Sequence, residues 1–322
     1  MGEVELEAVA RRVVGPYLGL KPGERLVIVT DTRASPSLPR ALADAAAALG
    51  ADPVVTVMPP RSHSGVEPPP PVAAAMRRSD VVVSVASTSM YHTEAKGAAQ
   101  RGGVRGCFNA PSREDAWIDG AMTADFTEIR ERSERLAERL RGASTIRVTS
   151  PAGTDLTASI AGREPKGWLT GICRNPGEVS AYPGGEVSLP PVEGTARGIV
   201  VVEHVLTDVG LLDAPITWTV EDGAVVSTEG GASAEALRRH VEDVEHAENI
   251  GEIGIGMNPR ARLTADITES KKRLGTAHVA MGDSAGEYGG TVVSDVHLDG
   301  MVLDATIEVD GRVLISQGEV VG

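Results

Sequence analysis

His297 and Asp299 lie two residues apart in Ser294-Asp-Val-His297-Leu-Asp299, flanked by apolar Val293, Val296 and Leu298 and followed by a turn at Asp299-Gly300. Side chains at i and i+2 of a strand share a face, so an imidazole and a carboxylate converge here. Such a pair suits a divalent metal. The plainer alternative is a hydrogen-bonded histidine beside a turn aspartate.

Other short stretches share the design. In Pro183-Gly-Gly-Glu186-Val-Ser-Leu, Glu186 alternates with Val187 and Leu189. Glu252 shares its strand face with Gly254 and Gly256, while Ile253 and Ile255 take the other; His278 shares its face with Ala280 and Gly282. Glycines beside a carboxylate leave room for an ion or ligand to approach the backbone. Glu269, Lys271 and Lys272 lie just upstream of His278 and add a further carboxylate and two ammonium groups. Two imidazoles with several carboxylates can hold two divalent ions with an activated water between them. A spare glutamate could then act as general base, and a tyrosine or lysine could stabilise an oxyanion. Zinc, cobalt, manganese and iron all accept this mixed nitrogen and oxygen set.

These residues need strands to present them. Before residue 145 the chain alternates helices with apolar strands: strands at Arg25 to Thr30, Asp52 to Met58 and Asp80 to Ala86, helices at Pro39 to Gly50 and Val72 to Arg78, and a further unit through Ala95 to Phe108. Runs that are apolar on both faces and alternate with helices predict an α/β domain with a mainly parallel sheet. Asp31-Thr-Arg-Ala-Ser-Pro36, after the first strand, has no glycine fingerprint, so a nucleotide is not indicated. From Thr145 onward short strands alternate with Gly-containing turns, apart from a helix at Ser233 to Glu245. The expected division is therefore 1–145, an α/β domain, and 146–322, a β-rich α+β domain that carries the metal ligands.

The chain has 31 Lys plus Arg against 45 Asp plus Glu, a formal charge of −14, which disfavours nucleic acid as a partner. Two cysteines without paired spacing indicate neither a disulfide framework nor a Cys-ligated zinc. Neither a signal peptide nor an apolar run long enough to span a bilayer is visible, so the expectation is a cytoplasmic protein without a membrane partner.

Taken together, Pro183-Gly-Gly-Glu186-Val, Gly251-Glu252-Ile-Gly-Ile-Gly-Met-Asn258-Pro259, Gly275-Thr-Ala-His278-Val-Ala-Met-Gly282 and His297-Leu-Asp299 resemble the thermophilic aminopeptidases, dinuclear cytoplasmic metallopeptidases. The resemblance places Glu186, Glu252, His278, His297 and Asp299 on metal-binding positions and implies a homodimer. It matches Glu269 to another acidic site residue, and Tyr288 to a tyrosine that the family carries slightly closer to the histidine. A related group, the 2,5-dihydroxypyridine 5,6-dioxygenases, is also similar, through Ser87-Thr-Ser-Met-Tyr91-His92-Thr93 and the stretch around Asn258-Pro259. That group uses a His, His, Asp triad at one iron(II), with its first histidine where this chain has Glu252 and with no equivalent of His278.

The carboxylate-rich set favours a metal-dependent hydrolase of an amide or peptide bond, in which Glu269 shuttles a proton, Tyr288 assists, and Lys271 and His92 contact a small-molecule or short-peptide substrate. The alternative is a mononuclear iron(II) ring-cleaving dioxygenase. A binding protein with an idle site is a third reading.

Overall fold

The computed structural model describes residues 2–167, 169–286 and 288–321, which form two compact units, Met1–Arg130 with Trp168–Gly184 and Glu131–Gly167 with Gly185–Gly322. A single cut near residue 145 does not reproduce this division. The chain leaves the first unit, folds part of the second, and returns to add the strand Val179–Ser180 to the first sheet before leaving again.

The sheet of the first unit is parallel and five-stranded, in the order Asp52–Met58, Arg25–Asp31, Val81–Ser84, Arg105–Cys107 and Val179–Ser180. Alternating residues of the central strands feed two different cores. Leu26, Ile28, Val81 and Val83 pack with Leu6, Val9, Leu38 and Leu42 from helices Gly2–Arg12 and Ser37–Ala48. Val27, Val29 and Val82 face Val72, Met76, Ala95 and Ala99 from helices Pro70–Arg78 and Glu94–Arg101. A strand coated by helices on both faces must be apolar throughout, as Leu-Val-Ile-Val is here.

Arg105 is buried in this unit and donates to the Leu18 and Gly19 carbonyls and to both oxygens of Glu24, at 3.0 and 2.6 Å. The guanidinium holds the Glu24 carboxyl below its ordinary range. A group whose folded pKa is depressed stabilises above its unfolded pKa and loses that contribution as pH falls through the folded value. Glu24→Gln leaves a buried charge without its counter-ion, and should cost about 3 kcal/mol in urea unfolding at neutral pH. The difference from the wild type should shrink as pH falls through the depressed Glu24 value, where Glu24 itself protonates; a pH-independent deficit would contradict the ion-pair account.

The second unit holds two antiparallel sheets. One has eight strands, in the order Ala224–Glu229, Ile216–Glu221, Arg197–Val202, Asp155–Ser159, Thr145–Thr149, Thr306–Val309, Arg312–Ser316 and Glu319–Val320. The other has six, in the order Gly210–Leu211, Val205–Leu206, His297–Val302, Ala277–Gly282, Ile250–Gly256 and Glu186–Leu189. They share one core, in which Val187, Leu189, Ile253, Ile255, Val279 and Leu298 of the smaller sheet meet Val148, Leu156, Val200, Val202 and Trp218 of the larger. Leu136, Ala137 and Leu140 of helix Phe126–Leu140 join it, as does Leu237 of helix Ala232–Val241, which ends four residues short of the expected Glu245. Among the described residues, no helix is long and apolar enough to cross a membrane.

Period-two alternation now determines the chemistry. With Ile253, Ile255, Val279, Leu298, Val187 and Leu189 committed to the core, Glu252, His278, His297, Asp299 and Glu186 must all project from the opposite face of the six-stranded sheet. A register shift between Ile250 and Glu252 adjusts the pattern, because Ile250 also enters the core although it lies three residues before Ile253. A bulge of this kind re-aims the side chains that follow it.

Candidate functional site

Register brings the predicted ligands together. Asp299 pairs with Ala280, and Ala280 with Glu252, so a small residue separates the two carboxylates across three adjacent strands. Strands spaced about 4.8 Å apart leave the two acids free to lean toward each other over the Ala280 methyl. One step along, His278 pairs with Gly254, which has no side chain to obstruct the ring.

The ligand atoms of Glu252, His278 and Asp299 lie within 4.8 Å of one another, and all three residues are buried. His297 Nε2 is 3.1 Å from Glu252 Oε2 and 3.5 Å from Asp299 Oδ1. His278 Nε2 lies 3.6 Å from Glu252 Oε2, 3.9 Å from Asp299 Oδ1 and 3.9 Å from Glu186 Oε2. The other nitrogen of His297, Nδ1, donates to the Asp283 carbonyl at 2.8 Å and so turns Nε2 toward the carboxylates.

Burial opposes charge at Glu252, His297 and Asp299, and the attraction of their neighbours overcomes it. Burial pushes the Glu252 carboxyl up, but His278 and His297 hold it well below the ordinary range. Burial likewise disfavours a charged His297 ring, and Asp299 with Glu252 reverses this, raising its pKa to about 10. Asp299 is depressed against its burial by Lys271 and His297. Protons and a divalent cation therefore compete for the same atoms.

Both ring nitrogens of His278, Oε2 of Glu186 and Oδ1 of Asp299 are buried without a hydrogen-bond partner. Orphaned polar atoms of this kind call for an explanation. Imidazole nitrogens and carboxylate oxygens converging in a buried cluster fit a divalent transition metal.

The remaining predicted residues fare differently. Lys271 joins the cluster, with Nζ 3.0 Å from Asp299 Oδ2 and 3.5 Å from Glu186 Oε2. Burial works against its ammonium, and Asp299, Glu186 and Glu252 raise its pKa well above the ordinary value. Its charge is thus directed at carboxylates of the protein rather than held out to a substrate acid. Tyr288 stacks on the His297 ring, with centroids 4.0 Å apart and planes 11° from parallel. Burial and the Glu252 charge push its phenol well up, so it stands as an O–H donor at neutral pH.

Glu269 is buried but engaged elsewhere, accepting hydrogen bonds from Arg262 Nε at 3.1 Å, Arg262 Nη2 at 3.2 Å and the Arg262 backbone N–H at 3.2 Å. Both Glu269 oxygens are thus held by Arg262 in a clasp that closes the 262–269 loop. His92 belongs to the first unit, where it is exposed and meets the Tyr91 ring edge-on at 5.2 Å. Sequence reasoning missed the Asp283 carbonyl, which carries no signal in residue type. It also missed that Lys271 and Lys272 both approach Glu186, Lys272 Nζ at 4.0 Å from Oε1.

No curated protein matches the chain. Its fold is similar to that of 2,5-dihydroxypyridine dioxygenase from Pseudomonas putida KT2440, with a TM-score of 0.83 and 21% identity over 99% of this chain and 98% of that one. It is also similar to wild-type AmpT from Thermus thermophilus, with a TM-score of 0.73 and 19% identity over 100% of both chains. Identities this low speak to the fold alone. The family model NicX, 2,5-dihydroxypyridine 5,6-dioxygenase, matches residues 16–322 and overturns the expectation of an amide or peptide hydrolase. That expectation rested on counting carboxylates, and two of those counted, Glu186 and Asp299, are in contact with Lys271. With a match spanning nearly all of its length, the chain belongs to the 2,5-dihydroxypyridine 5,6-dioxygenase family.

Proposed function

We propose that this protein is an iron(II)-dependent dioxygenase that opens a hydroxylated pyridine or related aromatic ring. The observation that carries the reading is the convergence of His278, His297 and Asp299 on one sheet face in a chain of this family, with His278 supplying the second imidazole in place of the histidine for which this chain has Glu252. Two histidines and one carboxylate are the donor set of non-haem iron(II) oxygenases. Glu252, within 3.6 Å of both imidazoles, is a further oxygen donor.

Iron(II), when bound, supplies the redox chemistry that allows dioxygen to react with an electron-rich ring. The protein's own groups hold and surround that chemistry. The Asp283 carbonyl fixes the direction of the His297 ring, and Tyr288 covers one face of it. The Tyr288 phenol keeps its proton and can donate to an oxygen of the ring substrate. Lys271 offsets part of the acidic charge of Glu186 and Asp299.

Protein reconstituted anaerobically with iron(II) should consume oxygen when given 2,5-dihydroxypyridine or a related hydroxylated ring, with loss of the ring's ultraviolet absorbance in about equal molar amount. Absence of oxygen uptake across a panel of such rings, with iron bound, would refute the reading.

A further inference from the structure

We propose that Lys271 is the built-in counter-cation of this centre and limits it to one divalent ion. The inference rests on the metal-dependent reading above and concerns what the protein does to metal number. Asp299 is divided between two kinds of partner: Oδ2 accepts a hydrogen bond from Lys271 Nζ at 3.0 Å, while Oδ1 faces His297 and His278 at 3.5 and 3.9 Å and has no hydrogen-bond partner. A carboxylate shared between two metals would present one oxygen to each. Here an ammonium group occupies one of those sides.

Glu186 repeats the pattern. Its Oε2 lies 3.5 Å from Lys271 Nζ and its Oε1 lies 4.0 Å from Lys272 Nζ, and the two lysine side chains are only 14% and 2% exposed. Charge balance points the same way, since one divalent ion with Lys271 already matches the carboxylates of Glu186, Glu252 and Asp299, and Lys272 beside Glu186 adds a further positive charge. A second divalent ion beside Lys271 would leave a large positive excess in a buried site, where repulsion is weakly screened.

The position of Lys271 is built into the fold. It follows the short helix Ile267–Ser270, its backbone N–H donates to Ile267 at 2.9 Å, and Asp266 caps the start of the same turn through Thr268 N. The Arg262–Glu269 clasp closes the loop just before it. Glu269 thus acts as a positioning residue for the turn that delivers Lys271.

The test is metal stoichiometry, measured by elemental analysis after saturation with cobalt(II) or zinc(II) and removal of loosely bound ion. Wild type should hold about one ion per chain and Lys271→Met about two, with Lys271→Arg remaining at about one, because only the loss of charge opens a second site. Lys271→Gln replaces the methionine variant if circular dichroism shows that the latter does not fold. Two ions on the wild type, or one on a folded neutral variant, overturns the proposal. Oxygen uptake by the wild type separates the two readings: a ratio near two with uptake intact refutes this inference alone, whereas a ratio near one without uptake refutes the dioxygenase alone.

Discussion

His278→Ala should lose more than about 100-fold in affinity for a divalent ion and bring oxygen uptake to background, because changes to groups merely behind a ligand already cost about 10–100-fold. His278 is fully buried, its Nε2 lies within 3.9 Å of three carboxylates, and neither ring nitrogen has a hydrogen-bond partner. A structural histidine in a core would have at least one. The measurement that separates the two roles is thermal unfolding with and without metal. A ligand that binds only the folded state stabilises it by mass action, about 2.7 kcal/mol at a hundredfold excess over Kd. Wild type should show that gain, and the alanine variant should not. A variant that is equally destabilised with and without metal would make His278 a packing residue.

Much of this centre was legible in the residues themselves. Period-two alternation correctly placed Glu252 opposite Ile253 and Ile255, and His278 on a face with Ala280, because a sheet with one face in the core forces the rest of the pattern. The parallel strands of the first unit were equally readable, since their apolar runs and alanine-rich helices agree at every level. The return of Val179–Ser180 to that sheet was not legible, because a two-residue strand carries too little pattern to outweigh its surroundings. The partners of Glu269 and Lys271 were also hidden. Both residues lie in a stretch of irregular chain where loop geometry, and not periodicity, decides which charge meets which. Reaction class was not legible for a different reason: imidazoles and carboxylates serve hydrolases and oxygenases alike, so the donor types alone do not choose between them.

Gly254→Ala should impair the centre about as severely as loss of a group directly behind a ligand, about 10–100-fold in metal affinity, without removing any donor atom. A Cβ at Gly254 would stand 2.0 Å from His278 Nε2 and 2.1 Å from Cε1, a distance no pair of non-bonded atoms tolerates. The backbone cannot yield, because the strand Ile250–Gly256 is paired on both sides, to Ala277–Gly282 and to Glu186–Leu189. The backbone angle at Gly254 is outside the left-handed region, so alanine carries no conformational penalty of its own there. The conflict therefore falls on the imidazole, which must swing away from Glu252 and Asp299. Isothermal titration of the metal-free variant with cobalt(II) gives the affinity, and circular dichroism confirms that the sheet is retained. Wild-type affinity in a folded Gly254→Ala protein would mean that the His278 ring can bind metal from another position, and that the glycine serves only the sheet.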